Sequence, residues 1–417
     1  MNLNKIFKGF SINSLIAGIF FFLVLCSWYT LRPVRNELAV QNESIIFYLL
    51  LVGALVMLLI NPLYSWVASR GNLKTVLVST YSVFIGIWLL LIVCLYPPFF
   101  NSIGINADLI SSVWFSRFFY ILANVFSFFI VSIFWVVIIN LFRGPSLKLS
   151  YGVIAAGGSL GAYFGADIAS GLASTFNDSG LLFYLLTSSL VLFISMIFGL
   201  LLIYRFKNNV DLKPTGGKSL DAIRNLITNK EIRSIGLYMY LWTALMTIHW
   251  VTSLGIISDG IVYESYRIIF FADLEKVVIV ITVFTQFFLI NNIIDFMGRR
   301  NILVAYGFIF SLVFLGYYLI PTVSLVLFVT VFLRWFEYGV NKPSRELIFS
   351  DLKKNDRYKS TVLVDTFNVR FGDATGAAFV TFSKTLGLLF TNIPIFAVPI
   401  AGLVSFYGHK FGGLKED

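Results

Sequence analysis

The chain has 417 residues, of which 58% are hydrophobic and only 12% charged, with a mean hydropathy of +0.86. That apolar share exceeds what a water-soluble core can hold and excludes an ordinary cytosolic domain. The formal charge of +10 raises the question of nucleic-acid binding, but the basic residues are scattered through short connections between apolar segments, which is the pattern of membrane topology and argues against a polymeric nucleic-acid partner.

About 20 apolar residues suffice to cross a bilayer. On that criterion six spans fall at 13–31, 45–67, 75–96, 113–141, 151–173 and 181–205, and six more at 234–257, 269–294, 301–320, 323–348, 360–388 and 391–409. The expectation is an all-α membrane protein of twelve transmembrane helices in two pseudo-symmetric six-helix bundles, residues 1–205 and 234–417. A cytoplasmic linker, 206–233, joins them. It holds Pro214, Gly216 and Gly217, followed by a stretch from Leu220 to Ile232 suited to lie as an amphipathic helix on the membrane surface. Alternate loops gather Lys5, Lys8, Arg70, Lys74, Arg143, Lys148, the basic residues of 205–233, Arg299, Arg300, Arg345, Lys353, Lys354, Arg357, Lys359, Lys410 and Lys415 on one side, against Arg32, Arg35 and Arg267 on the other. The positive-inside rule then puts both termini in the cytoplasm. Phe20 to Leu31 runs on without a small-residue cleavage site, so the Met1 end is not expected to be removed as a secretory signal.

Charged residues inside such spans are costly, about 2.5–3.5 kcal/mol on insertion scales, and usually face a wet cavity or a partner. At the end of the first span, Arg32 and Arg35 are three apart and share a helix face, with Pro33 loosening the ladder between them and Glu37 close by as a gating candidate. Two guanidiniums suit an anion clamp, because each offers bidentate contacts to carboxylate or phosphate. They equally suit anchors that reach for lipid headgroups. In the fourth span Arg117, among Trp114, Phe115, Phe118 and Phe119, is either a substrate contact or an interfacial residue. The fifth span carries Gly157, Gly161 and Gly165, a spacing that clears one helix face for a neighbouring backbone, and a solitary Asp167 that is a candidate proton site or a partner for Arg117.

In the eighth span Asp273 and Glu275 are candidates to carry a coupling proton beside Lys276, while Thr282 and Gln286 either read polar groups of a substrate or bond a neighbouring helix. Arg334 in the tenth span has Glu337 one turn on, so a local ion pair, opened by an arriving anion, is expected there. Lys342 between Asn341 and Pro343 marks a kink that belongs either to a pocket or, with Arg345 and Glu346, to a solvated cytoplasmic gate. In the eleventh span Asp365, Asn368 and Gly372 share one face, and Arg370 and Asp373 form a second pair. These charges form either a network that changes between transport states or a static, neutralised one.

Three features recur after roughly constant offsets: Gly71 and Gly298 in short basic loops, Arg117 and Arg334, and Gly157-x-x-x-Gly161 with Gly372-x-x-x-Gly376. Other signals are weak. Cys26 and Cys94 lack metal-ligand neighbours, and His249 and His409 are read as structural, so neither metal nor cofactor is expected. Thr215-Gly216-Gly217-Lys218-Ser219 imitates the end of a phosphate-binding loop, but Leu212 stands where the first glycine belongs.

Two six-helix halves with a basic-glycine loop after the second span of each resemble the major facilitator superfamily. The loop Asp295-Phe296-Met297-Gly298-Arg299-Arg300 is close to that family's Asp-x-x-Gly-Arg-Arg pattern. More narrowly, Leu31-Arg32-Pro33-Val34-Arg35-Asn36-Glu37-Leu38, Arg334-Trp335-Phe336-Glu337-Tyr338, Asn341-Lys342-Pro343-Ser344-Arg345-Glu346-Leu347 and Arg357-Tyr358-Lys359 through Asp365 resemble the bacterial and plastid ATP/ADP translocase group and its bacterial relatives. Those exchangers carry Lys-Asp where this chain has Arg35 and Asn36. The resemblance implies a bacterial cytoplasmic (inner) membrane location.

The combined expectation is a monomeric secondary transporter that moves a small anionic organic solute by alternating access. Arg32, Arg35, Arg117, Arg334, Lys342, Arg370 and Gln286 are the substrate-binding candidates. Glu37, Asp167, Asp273, Glu275, Glu337, Asp365 and Asp373 are the coupling or gating candidates. Membrane lipids are expected partners, and protons are candidates. The resemblance implies nucleotide or phosphorylated-solute exchange; proton-linked movement of a polycarboxylate, such as a siderophore or metabolic acid, fits the same charges. Two other classes compete: a membrane enzyme, for which the chain offers no nucleophile–base pair, and a non-transporting receptor or scaffold.

Overall fold

The computed structural model describes residues 11–70, 72–94, 113–142, 145–176, 180–206, 230–345 and 369–412. Among them no strand occurs. The helices in chain order are α1 (Ile12–Gln41), α2 (Ile46–Arg70), α3 (Leu73–Cys94), α4 (Val113–Leu141), α5 (Pro145–Thr175), α6 (Gly180–Arg205), α7 (Lys230–Gly260), α8 (Glu264–Met297), α9 (Arg299–Leu319), α10 (Val323–Arg345), α11 (Val369–Thr385) and α12 (Val398–Gly412). Nine helices among the described residues are long and apolar enough to cross a membrane. Gly71, Asn368, Asp365 and residues 207–229, which include most of the expected linker and its surface helix, lie outside the described residues.

The expected boundaries shift most in α1. Its predicted end at residue 31 is ten residues short, since the helix continues through Pro33 to Gln41. Arg32, Arg35 and Glu37 therefore stand inside a helix and not in a loop. Proline removes one ladder hydrogen bond, a loss that packed membrane helices absorb through neighbouring groups. At 30 residues α1 is ~45 Å long, more than the ~30 Å hydrocarbon layer requires.

Packing divides the chain into two units. The first takes the described residues of 1–38, 55–215 and 263–276, and the second those of 39–54, 216–262 and 277–417. The chain changes unit within α1, α2 and α8, because long helices change packing partners along their length.

In the first unit the glycine stripe of α5 does what its spacing indicates. A Cβ at Gly157 or Gly161 would land on the carbonyl oxygens of Gly18 or Phe22, and one at Gly165 would sit 2.5 Å from that of Cys26, so α1 and α5 touch backbone to backbone. The core beside them is aromatic. Phe20, Tyr81, Trp88, Phe119, Phe126 and Phe134 are all fully buried, with Trp88 and Phe84 meeting Phe126 edge-on and Tyr81 Oη donating to the Ile130 carbonyl at 3.0 Å.

The second unit repeats the device. Cβ atoms at Gly372 and Gly376 would press on the Tyr240 and Ala244 carbonyls, joining α11 to α7, and one at Gly408 would sit 2.8 Å from the Leu303 carbonyl oxygen, joining α12 to α9. Gly298, at φ +75°, makes the tight turn between α8 and α9, a conformation that other residues adopt only with strain.

Two π-helical turns interrupt this unit, Thr285–Leu289 in α8 and Glu337–Asn341 in α10. A π turn frees backbone groups from the regular ladder. Here the two turns bond one another: Gln286 Nε2 donates to the Tyr338 carbonyl at 2.9 Å and Trp335 Nε1 to Thr285 Oγ1 at 2.7 Å.

Candidate solute-binding site

The densest polar cluster of the first unit grows from one stretch of α1. Successive charges at 32, 35 and 37 project over adjoining faces of the helix, so each reaches a different neighbour. Arg32 Nη1 donates to Tyr29 Oη at 2.7 Å, its guanidinium carbon lies 4.9 Å from that ring's centroid, and its Nε stands 3.1 Å from Glu275 Oε1 on α8. Glu275 is 1% exposed. Arg35 meets neutral groups: Nη1 donates to Asn124 Oδ1 at 3.1 Å, and the guanidinium lies 5.9 Å and 5.6 Å from the ring centroids of Trp28 and Tyr120. Asn124 is held by its own Nδ2, which donates to the Tyr120 carbonyl.

Glu37, 0% exposed, receives a fork from Arg267, with Nε to Oε2 and Nη2 to Oε1 both at 2.7 Å. This two-point geometry closes the pair and ties the end of α1 to the start of α8. Glu275 thus pairs with Arg32 and Glu37 with Arg267, while the direct hydrogen-bond partner of Arg35 among the described residues is a neutral amide.

The hydrogen bonding here is incomplete. Arg32 Nε, Arg35 Nε and Asn36 Oδ1 are buried and have no hydrogen-bond partner among the described residues. The Arg32–Glu275 contact at Nε is an ion pair without hydrogen-bond alignment.

The remaining candidates separate into smaller groups. Asp167 and Asp273 share Lys276, at 3.0 and 2.9 Å, so Asp167 has a cation that the sequence reading did not assign to it. Arg117 lies over the Trp114 ring at 4.8 Å. In the second unit Glu337 is buried and accepts from Asn341 Nδ2 at 2.6 Å and from Arg345 Nη1 at 3.2 Å, while Tyr238 Oη donates to Asn341 Oδ1. Arg345 is thus buried beside Glu337, not part of a solvated gate, and Lys342 is exposed one turn away. Arg334 stacks on Tyr338 at 5.8 Å. Arg370 reaches Asp373 at 3.4 Å, and Asp373 also accepts from Thr247 at 2.8 Å. Gln286 serves helix contact through the Tyr338 carbonyl. His249 is bound by Tyr317 and Thr330, and His409 meets Arg300.

Sequence reasoning did not single out Asn36, Asn124 or Arg267 as site residues. Asn124 had a signal, since it lies seven residues after Arg117 on the same face of an apolar helix. Arg267 had none, because its partner Glu37 is 230 residues away.

The chain is similar across nearly its whole length to solved transporter structures. One is a point mutant of the nucleoside transporter NupG, with TM-score 0.64 and 15% identity, covering 96% of this chain and 99% of that one. Another is a bacterial homolog of the human lysosomal transporter Spinster, with TM-score 0.60, 13% identity and 96% of each chain covered. A third is a POT family transporter in complex with a thioalcohol-conjugated peptide, with TM-score 0.65, 14% identity and 94% of each chain covered. The chain shares the fold of these solved transporters. No protein-family model and no curated protein sequence matches it. With that fold and nine helices of spanning length among the described residues, the chain is an integral multi-pass membrane protein. Lipid accounts for exposed apolar side chains on this fold such as Trp114, Phe328 and Leu90.

Proposed function

We propose that the chain is a secondary active transporter that moves an anionic organic solute by alternating access, with Arg32 and Arg35 as its anion-binding groups. One observation carries this reading. Within five residues of one helix, Arg35 Nε and Asn36 Oδ1 lie buried without hydrogen-bond partners among the described residues, a loss of about 1–3 kcal/mol each unless something bonds them, and Arg32 Nε has only its unaligned ion pair with Glu275. The direct contacts of Arg35 are aromatic rings and an amide, with no carboxylate bonded to it, which suits a guanidinium that receives an incoming anion.

The fuller reading has twelve spans in two six-helix bundles, residues 1–205 and 234–417, rocking as a monomer in a bacterial inner membrane with both termini in the cytoplasm. The motifs around Arg32–Leu38 and Arg334–Leu347 favour nucleotide or phosphorylated-solute exchange, as in ATP/ADP translocase-like exchangers. The related folds of NupG, a nucleoside transporter, and of the POT protein with its bound peptide conjugate support a small organic solute. A proton-linked polycarboxylate carrier is the second reading. It is favoured by buried Glu275 on Arg32, a carboxylate able to take a proton when an anion displaces it.

The test is a thermal-shift screen of purified full-length protein against nucleotides, sugar phosphates and polycarboxylates, since a ligand that binds only the native state raises its stability. An anion that raises the melting temperature in the wild type and fails to do so in Arg35→Gln is the expected result. No shift with any anion, or an undiminished shift in Arg35→Gln, would falsify the reading. In proteoliposomes, exchange requires trans-substrate and ignores a pH gradient, whereas proton coupling does the reverse.

A further inference from the structure

Asn36 stands between Arg35 and Glu37 on α1, yet it differs from both in having no side-chain hydrogen bond among the described residues. The residue is 7% exposed, and its Oδ1 is buried without a partner there. A buried amide in this condition is unusual, because buried polar groups are nearly always bonded by protein, water or ligand. Four residues separate Asn36 from Arg32, which places the two on one stripe of the helix with Cβ atoms about 5–6 Å apart.

We infer that Asn36 is a specificity-determining residue of the Arg32–Arg35 site, and that its carbonyl accepts a hydrogen bond from a hydroxyl or amine that the anionic solute carries about one helical turn from its charge. The inference rests on the anion reading above and adds the second recognition group. A guanidinium selects charge but does not distinguish among organic anions of similar size. An acceptor fixed beside it does, since an analogue lacking the donor leaves the carbonyl buried and unbonded. The site therefore reads hydroxylated or aminated anions in preference to their deoxygenated counterparts. Glu37 does not compete for this role, because both its oxygens are occupied by Arg267.

The test uses the full chain purified in detergent and matched pairs of probes that differ in one donor: glycerol 3-phosphate against propyl phosphate, and malate against succinate. In the wild type the hydroxylated member of at least one pair binds about tenfold tighter or better. In Asn36→Leu, which keeps the volume and removes the acceptor, that preference falls to about one, through weaker binding of the hydroxylated member alone. Asn36→Ser, which keeps an acceptor on a shorter arm, retains part of the preference and serves if the leucine variant does not fold. Equal binding within every pair by the wild type, or an unchanged preference in the folded leucine variant, overturns the inference and leaves the anion reading standing. Failure of these probes and of every anion in the broader screen to bind removes both.

Discussion

Two buried polar clusters, one in each unit, use the same kinds of side chain in opposite ways. In the second unit Glu337, Asn341 and Arg345, eight residues apart at most on one helix, bond one another around a π turn, and α7 adds Tyr238 on Asn341 and Trp242 against Arg345. In the first unit the charges of α1 find partners on α4 and α8, with Glu37 and Arg267 separated by 230 residues, and Arg35 Nε and Asn36 Oδ1 have no hydrogen-bond partner among the described residues. Bonds between residues a turn or two apart follow from the helix itself, whereas bonds between helices hold only while those helices keep their places.

The largest effect is expected where this contrast is sharpest. Glu37→Ala takes both fork acceptors away from the partly buried Arg267, a loss of up to about 3–5 kcal/mol, while Glu37→Leu combined with Arg267→Met recovers most of it. Melting temperatures of the three proteins in detergent check this. A single variant as stable as the wild type would mean that the pair does not brace α1 against α8. Next comes Gly161→Val, which sets a branched side chain against the Phe22 carbonyl and must push α1 away from α5, for about 1–3 kcal/mol or more. Its melt shows whether the platform that carries Arg32 and Arg35 is as rigid as its backbone contacts indicate. The smallest is Gln286→Leu in the second unit, about 0.5–1.5 kcal/mol, because Trp335 still bonds Thr285 across the paired π turns. A much larger loss would show that these turns depend on a single side chain.

Much of the architecture was legible from local pattern. Runs of apolar residues located the helices, with the first ending later than expected because Arg32, Arg35 and Glu37 looked like the start of a loop. Their cost inside a helix is offset by Glu275, Asn124 and Arg267, and none of these adjoins them in sequence. The glycine spacing at 157, 161 and 165 announced a close helix contact without saying that α1 would make it. Arg370 and Asp373 were legible as a pair because a one-turn spacing is itself a contact. By contrast, Glu337 and Arg345 are two turns apart, and the intervening π turn that helps bring them together leaves no mark in the hydrophobic pattern.

By itself, the order of residues determined that the chain is helical and membrane-embedded, because backbone hydrogen bonding within a helix and the transfer of some twenty side chains into hydrocarbon are decided segment by segment. Which cation meets which carboxylate, which glycines receive a neighbouring backbone, and which amide is left buried without a partner depended on helices hundreds of residues apart coming to lie side by side. Hydrogen bonds and direct ion pairs need partners about 3 Å apart, so only the packed tertiary structure decided them.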